Sequence, residues 1–233
     1  MKTTYDAIII GGGILGVSIA YELAKAGMTN ICVIERHYLA AGSTGRCGGG
    51  FRQQWSTEAN TRLAMDSVHR FETIEDELGY KTEFHQGGYL ILAHTDEEVA
   101  QFKKNVAMQR KLGLDVNTVS PAEAGKIVPF LNPDLIKMAT WCPKDGHISP
   151  FLLTQAYANA ARRRGVDIKL WTEVKGLMKK SNTFFVMTSQ GPVYEAPILF
   201  NCTGSFSRTV GNMRHKRSRF FKSLQNVFCY FEI

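Results

Sequence analysis

Between residues 5 and 35 the sequence lays down a strand, a glycine-rich turn, a helix, a second strand and an acid, an order that few folds accommodate. Tyr5 to Ile10 is apolar and β-branched and stops at Gly11-Gly12-Gly13. Ile14 to Ala26 then repeats apolar residues at helical spacing. Gly27 is placed to end that helix, and Asn30 to Glu35 reads as a second buried strand. A crossover of this kind is right-handed and joins parallel strands. The expected fold class is therefore α/β: a Rossmann-like βαβ domain on a parallel sheet, interleaved with a partial α+β substrate domain.

Within that unit, Gly11-x-Gly13-x-x-Gly16 has a job for each glycine. Gly11 permits the tight turn, Gly13 lets a pyrophosphate approach the backbone, and Gly16 lets helix and strand pack closely. The amides at Ile14, Leu15 and Gly16 open the helix, whose N-terminus favours phosphate. Glu35 is placed to accept hydrogen bonds from ribose hydroxyls, with Arg36 beside it, and its carboxylate repels a 2′-phosphate. FAD or NAD fits this arrangement and NADP does not. A second small-residue loop, carrying Gly42, Ser43, Thr44, Arg46, Cys47, Gly48 and Gly49, is rich in hydroxyl and amide donors. A flavin's longer ribityl and pyrophosphate chain needs such a surface, whereas the alternative reading is a flexible surface loop.

Beyond this loop, Glu58 to Leu78 reads as a long helix with Leu63, Val68, Phe71 and Ile74 on one side, and Tyr89 to Ala93 as a strand. Thr95 to Glu98 and Ser120 to Glu123 are capping boxes that open helices. From Ile136 onward α/β alternation returns: a strand to Trp141, a helix from Phe151 to Arg164, a strand from Asp167, a hairpin over 174–189 and a short buried strand over 197–201. The expected organisation is a first FAD-binding part over 1–80, a substrate domain over 81–140, a return to the FAD domain over 141–211, and an atypical tail over 212–233.

Composition narrows the setting. No run approaches the roughly 20 apolar residues of a membrane-spanning helix, and the chain enters its first strand too early for a signal peptide. Five cysteines without paired spacing argue for a reducing, cytoplasmic context and against a metal site. Most of the net charge of +7 sits in the tail, on Arg208, Arg214, Lys216, Arg217, Arg219 and Lys222. Nucleic acid is therefore not an expected partner, and any contact with a membrane surface is expected through that tail alone.

The segments Gly11 to Ala24, Glu35 and Gly42 to Gln54 together resemble the D-amino-acid oxidase superfamily of flavoproteins. The nearest likeness is to sarcosine oxidase and dye-linked L-proline dehydrogenase β-subunits, with glycine oxidase more distant. Gln86 to Leu90, Trp141 to Pro150 and Asn201 to Gly204 follow as landmarks in the same order. The resemblance implies non-covalent FAD, Val174 touching the adenine through its backbone, and Thr203 and Gly204 closing near the phosphates. It implies oxidation of a C–N bond in a small amino acid or secondary amine, by hydride transfer to flavin N5 and hydrolysis of the imine. It also implies partner subunits of a hetero-oligomeric dehydrogenase. His147 lies in the stretch where some relatives attach a second flavin, FMN, but alignment puts that position at Ser149, so an FMN is not expected. Arg52, Gln53 and Gln54 either border the substrate pocket or solvate a helix entry.

The resemblance extends to about residue 211, after which Arg214 to Ile233 departs from the family's pattern. The expected cause is a frameshifted or truncated gene product; the alternative is a short basic peptide for a membrane surface or nucleic acid. Poor solubility or dependence on a partner, with weak turnover, is the expected consequence, as is the alternative of a non-catalytic FAD-binding remnant.

Overall fold

The computed structural model describes residues 2–28 and 30–213; the expectations for Arg214 to Ile233 lie outside the described residues. In chain order the elements begin with β1 (Ala7–Ile10), α1 (Ile14–Lys25), β2 (Ile31–Ile34), β3 (Gly50–Phe51) and α2 (Glu58–Leu78). There follow β4 (Tyr89–Ala93), α3 (Asp96–Lys111), β5 (Asn117–Val119), α4 (Pro121–Ile127), β6 (Met138–Cys142) and β7 (Gly146–His147). The chain closes with α5 (Pro150–Arg163), β8 (Asp167–Lys169), β9 (Val174–Lys180), β10 (Thr183–Thr188), β11 (Val193–Ala196), β12 (Ile198–Asn201) and α6 (Ser207–Asn212).

These elements form two units, one of Met1–Gly48, Leu78–Thr82 and Ser149–Ile233, the other of Gly49–Glu77 and Glu83–Ile148. In the first, four strands run parallel in the order β12-β1-β2-β8. Every residue of β1 and β2 is buried, as expected of parallel strands covered on both faces. Ile8, Ile10, Cys32 and Ile34 share a core cluster with Val174, Leu177, Val186 and Tyr194 of the antiparallel sheet β11-β10-β9. α1 packs against α5, with Tyr21 and Tyr157 meeting edge to face at 5.6 Å. The short buried strand expected near 197–201 is present as β12, but it is a sheet edge, and Ile198 is 40% exposed.

In the second unit β4, β6 and β5 form an antiparallel sheet in the order β4-β6-β5. The two-residue period of β6 divides its side chains between two cores. Cys142 joins Val106 of α3, while Ala139 joins Ala124 of α4 with Leu90 and Leu92. Both capping boxes form, with Thr95 and Glu98 exchanging bonds at the start of α3, and Ser120 and Glu123 doing so at α4.

Two details differ from the sequence reading. Leu63 is 62% exposed, because the buried stripe of α2 runs through Thr61, Val68, Ile74 and Leu78 and passes Leu63 by. By contact, nearly all of α2 falls in the second unit, although the sequence reading grouped it with residues 1–80. The cause is packing: Met65 sits against the Val106, Leu114, Val116 and Cys142 cluster.

Candidate functional site: a dinucleotide cradle and a polar cavity

At the carboxyl end of β1 the chain turns through Gly11, whose φ is +112° and whose amide donates to Ile34 O at 2.9 Å. A Cβ on Gly11 would lie 2.4 Å from Cys202 O, so the turn packs against the chain leaving β12. At Gly16 the constraint is tighter, since a Cβ there would stand 1.9 Å from Gly11 O. The helix and the turn that feeds it thus touch backbone to backbone. Gly13 caps α1 with no side chain to occupy the first-turn amides, which have no carbonyl within the helix to receive them. Ile14 N donates instead to Thr44 Oγ1 at 3.2 Å, from the second loop.

That second loop is tied to the first turn by hydrogen bonds. Ala40 N bonds Gly12 O at 3.0 Å, Ser43 to Arg46 form a 3₁₀ turn, and Cys47 Sγ lies 3.2 Å from Thr44 O. The Glu35 carboxylate, at the end of β2, accepts from Gly12 N at 2.7 Å and from His37 N at 2.8 Å. Two lone pairs remain on its oxygens for further donors. Arg36 lays its guanidinium 4.0 Å from the centre of the Phe206 ring, beside the Thr203-Gly204 turn. Thr203 is fixed by Asn201 Oδ1 at 2.6 Å, and an added Cβ on Gly204 would come 4.0 Å from Ser43 Oγ.

The structure therefore gathers Gly11, Gly13, Ile14, Leu15, Gly16, Glu35, Arg36, Ser43, Thr44, Thr203 and Gly204 around one sheet edge. Val174 opens β9 with its side chain in the core. Gly49, Arg52, Gln53 and Gln54 belong to the second unit. His147 is exposed and its backbone exchanges hydrogen bonds with His85, while Ser149 Oγ caps α5. The residues of the cradle fit a dinucleotide: close backbone, hydroxyls, an uncapped helix start and an acid at the next strand end.

The second unit holds a cavity of ≈ 270 Å³ whose lining includes Arg52, Gln54, Trp55, Phe102, Gln109 and Thr140. The Arg52 guanidinium stands 4.3 Å from the centre of the Trp55 ring, and its Nε is buried without a hydrogen-bond partner. Behind the wall lies Asp145, fully buried, a residue to which the sequence reading gave no role. It accepts from Gln53 N at 2.8 Å, Gln53 Nε2 at 3.0 Å and Gln54 Nε2 at 3.3 Å. Burial pushes its carboxyl above the usual range against the opposing pull of those donors. Sequence offered one signal, an acid beside Gly146 inside a landmark segment. A second missed group is His37, Tyr38 and Trp171, whose rings meet within 6.2 Å beside Glu35.

Among the described residues no helix is long and apolar enough to cross a membrane, and no group of three or more His, Cys, Asp or Glu is placed to hold a metal.

Comparison with known proteins agrees with this geometry. Rat mitochondrial dimethylglycine dehydrogenase is 36% identical over 213 residues, covering 91% of this chain and 25% of its own. The sarcosine oxidase β subunit of an Arthrobacter species is 30% identical, over 88% of this chain and 53% of its own. The crystal structure of L-proline dehydrogenase from P. horikoshii superposes with a TM-score of 0.85 at 38% identity, covering 91% of this chain and 56% of that one. This chain thus spans between a quarter and somewhat over half the length of these relatives. The family described as FAD dependent oxidoreductase (DAO) matches residues 6–225, beyond Met213, where the sequence reading saw family-like patterning stop. With the glycine turn, the acid and the second loop in one cradle, and the family matched over nearly its whole length, the chain belongs to the DAO family of FAD-dependent oxidoreductases.

Proposed function

We propose that this chain binds FAD without a covalent bond and takes part in oxidising the C–N bond of a small amino acid or secondary amine of the sarcosine, proline or glycine type. The observation that carries the reading is the cradle at the carboxyl edge of β1, where Gly16 touches Gly11 O and Glu35 turns back onto Gly12 N. In this reading the amides of Ile14, Leu15 and Gly16 receive the pyrophosphate, with Ser43, Thr44, Arg46, Cys47 and Gly48 continuing the surface. Glu35 and Arg36 take the ribose and its surroundings, Val174 offers backbone to the adenine, and Thr203 and Gly204 close over the phosphates. When bound, FAD supplies the two-electron acceptor for the carbon beside the amine nitrogen.

The cavity in the second unit is the proposed substrate pocket. Arg52 offers a fixed positive charge to a carboxylate, and Trp55 and Phe102 exclude water from the apolar part of the molecule. The four described cysteines are unpaired, in keeping with a reducing compartment such as the cytoplasm. The match to a subunit named β supports partner chains in a hetero-oligomer.

The purified chain should be yellow, and the flavin band should bleach on anaerobic addition of sarcosine or proline. Colour without bleaching identifies a chain that binds the cofactor and does not turn over. No flavin, with saturable NADH binding, overturns the proposal. Glu35→Ala should weaken FAD by about 10–100-fold, read by fluorescence titration, because one or two bonds to a charged acceptor are worth about 1.5–3 kcal/mol.

A further inference from the structure

His85 and His147 oppose each other in an antiparallel bridge beside the two-residue ladder of β3 and β7, and their backbones exchange hydrogen bonds at 2.9 and 3.0 Å. Residues directly opposed in this way project their side chains to the same face. Both histidines are exposed, and their ring centres stand 5.3 Å apart at an interplanar angle of 47°. The His85 ring lies over Gly87, where an added Cβ would come within 2.9 Å of Nε2, so the ring rests on backbone. Neither imidazole has a hydrogen-bond or ion-pair partner among the described residues. Two imidazoles holding one ion at about 2.0–2.1 Å per nitrogen, with a tetrahedral angle between them, have ring centres about 5.2 Å apart. The observed separation matches that of a chelating pair.

We propose that His85 and His147 form a binding site for one divalent transition-metal ion, of the class of Zn²⁺, Ni²⁺ or Cu²⁺, to which each gives one ring nitrogen. Imidazole is the ligand that these ions share. No third His, Cys, Asp or Glu completes the group among the described residues. With two protein ligands, one fewer than a catalytic zinc centre has, the ion keeps water in its remaining positions and exchanges with solvent. His147 also pairs with Gly50 of β3, two residues before Arg52. A bound ion therefore fastens the segment that leads into β4 onto the ladder that leads to Arg52. Neither histidine belongs to the cradle or lines the cavity, so the inference stands without the flavoenzyme reading.

The test is calorimetric titration of the full chain, made without an affinity tag, with nickel chloride near neutral pH. One ion should bind per chain. His85→Gln and His147→Gln should each weaken binding by at least about tenfold, and the double variant should fall within about twofold of either single one, because the first loss already ends chelation. Both side chains are exposed, so the variants should keep the wild-type urea midpoint, and either one alone suffices to judge the pair. His94→Gln is the control: its Nδ1 already meets Leu135 O at 2.7 Å, and the variant should bind nickel as the wild type does. No saturable binding below about 1 mM free ion would leave the two rings as packing neighbours and overturn the proposal. Binding that survives either substitution would overturn it too, as would variants that lose an ion from the count without losing affinity, or an equal loss in His94→Gln.

Discussion

Gly16→Ala should abolish dinucleotide binding and lower stability by about 1–3 kcal/mol, the range for forced overpacking. Helix propensity argues the other way, because Ala inside a helix is favoured over Gly by about 1 kcal/mol. The geometry decides which effect wins. An added Cβ would stand 1.9 Å from Gly11 O, a backbone atom of a turn that is itself held by Gly11 N to Ile34 O and packed on Cys202. Neither side is a flexible side chain that can swing away, so α1 must retreat from the sheet edge and carry its first-turn amides with it. Urea unfolding midpoints and flavin-to-protein absorbance ratios check the two halves of the expectation. Gly27→Ala is the control: it sits at the other end of α1, with nothing within 4 Å of the added Cβ but a φ of +103°. It should lower stability through backbone strain and leave cofactor affinity unchanged. A Gly16→Ala chain that keeps full flavin content would overturn the assignment of this turn as the phosphate site.

The cradle was legible because its constraints are local. A glycine at a positive φ, a helix start without a capping side chain and an acid at a strand end each leave a mark within a few residues, and the βαβ rule supplies the one long-range step. The capping boxes at Thr95 and Ser120 were readable for the same reason. What the sequence concealed were pairings between distant segments of the chain. β3 and β7 are two residues each and pair across ninety-odd positions, Gly50 with His147, and no periodicity marks so short a strand. Asp145 is similar: an acid next to glycine in a loop reads as solvated, and only the approach of Gln53 and Gln54 makes it a buried hub. Leu63 shows the converse. Apolar residues at helical spacing announce a buried face, but the face that α2 buries is set by Val106 and Cys142, which lie far along the chain.

Asp145→Ala should lower stability by about 2–3 kcal/mol, whereas Asp145→Asn at neutral pH should cost about 1 kcal/mol or less. Removing the carboxylate strands Gln53 N and leaves Gln53 Nε2 with only the Cys142 sulfur at 3.8 Å, whereas Gln54 Nε2 keeps Tyr89 O. The asparagine oxygen still accepts one of those bonds and brings no buried charge. The pH dependence separates the two contributions to Asp145. Desolvation is the larger influence and raises its folded pKa, so the folded protein holds this proton more tightly than the unfolded chain does. The resulting stability is fully present below an unfolded pKa of about 3.9 and is lost as pH rises through the raised folded value. The stability of the wild type relative to Asp145→Asn should therefore fall as pH climbs from about 4 toward neutrality, by no more than about 1.4 kcal/mol per pH unit. Urea midpoints of the two chains across that range measure the slope directly. A slope of opposite sign would mean that the Gln53 and Gln54 donors outweigh burial, and that the carboxylate is held ionised more firmly inside the fold than in water.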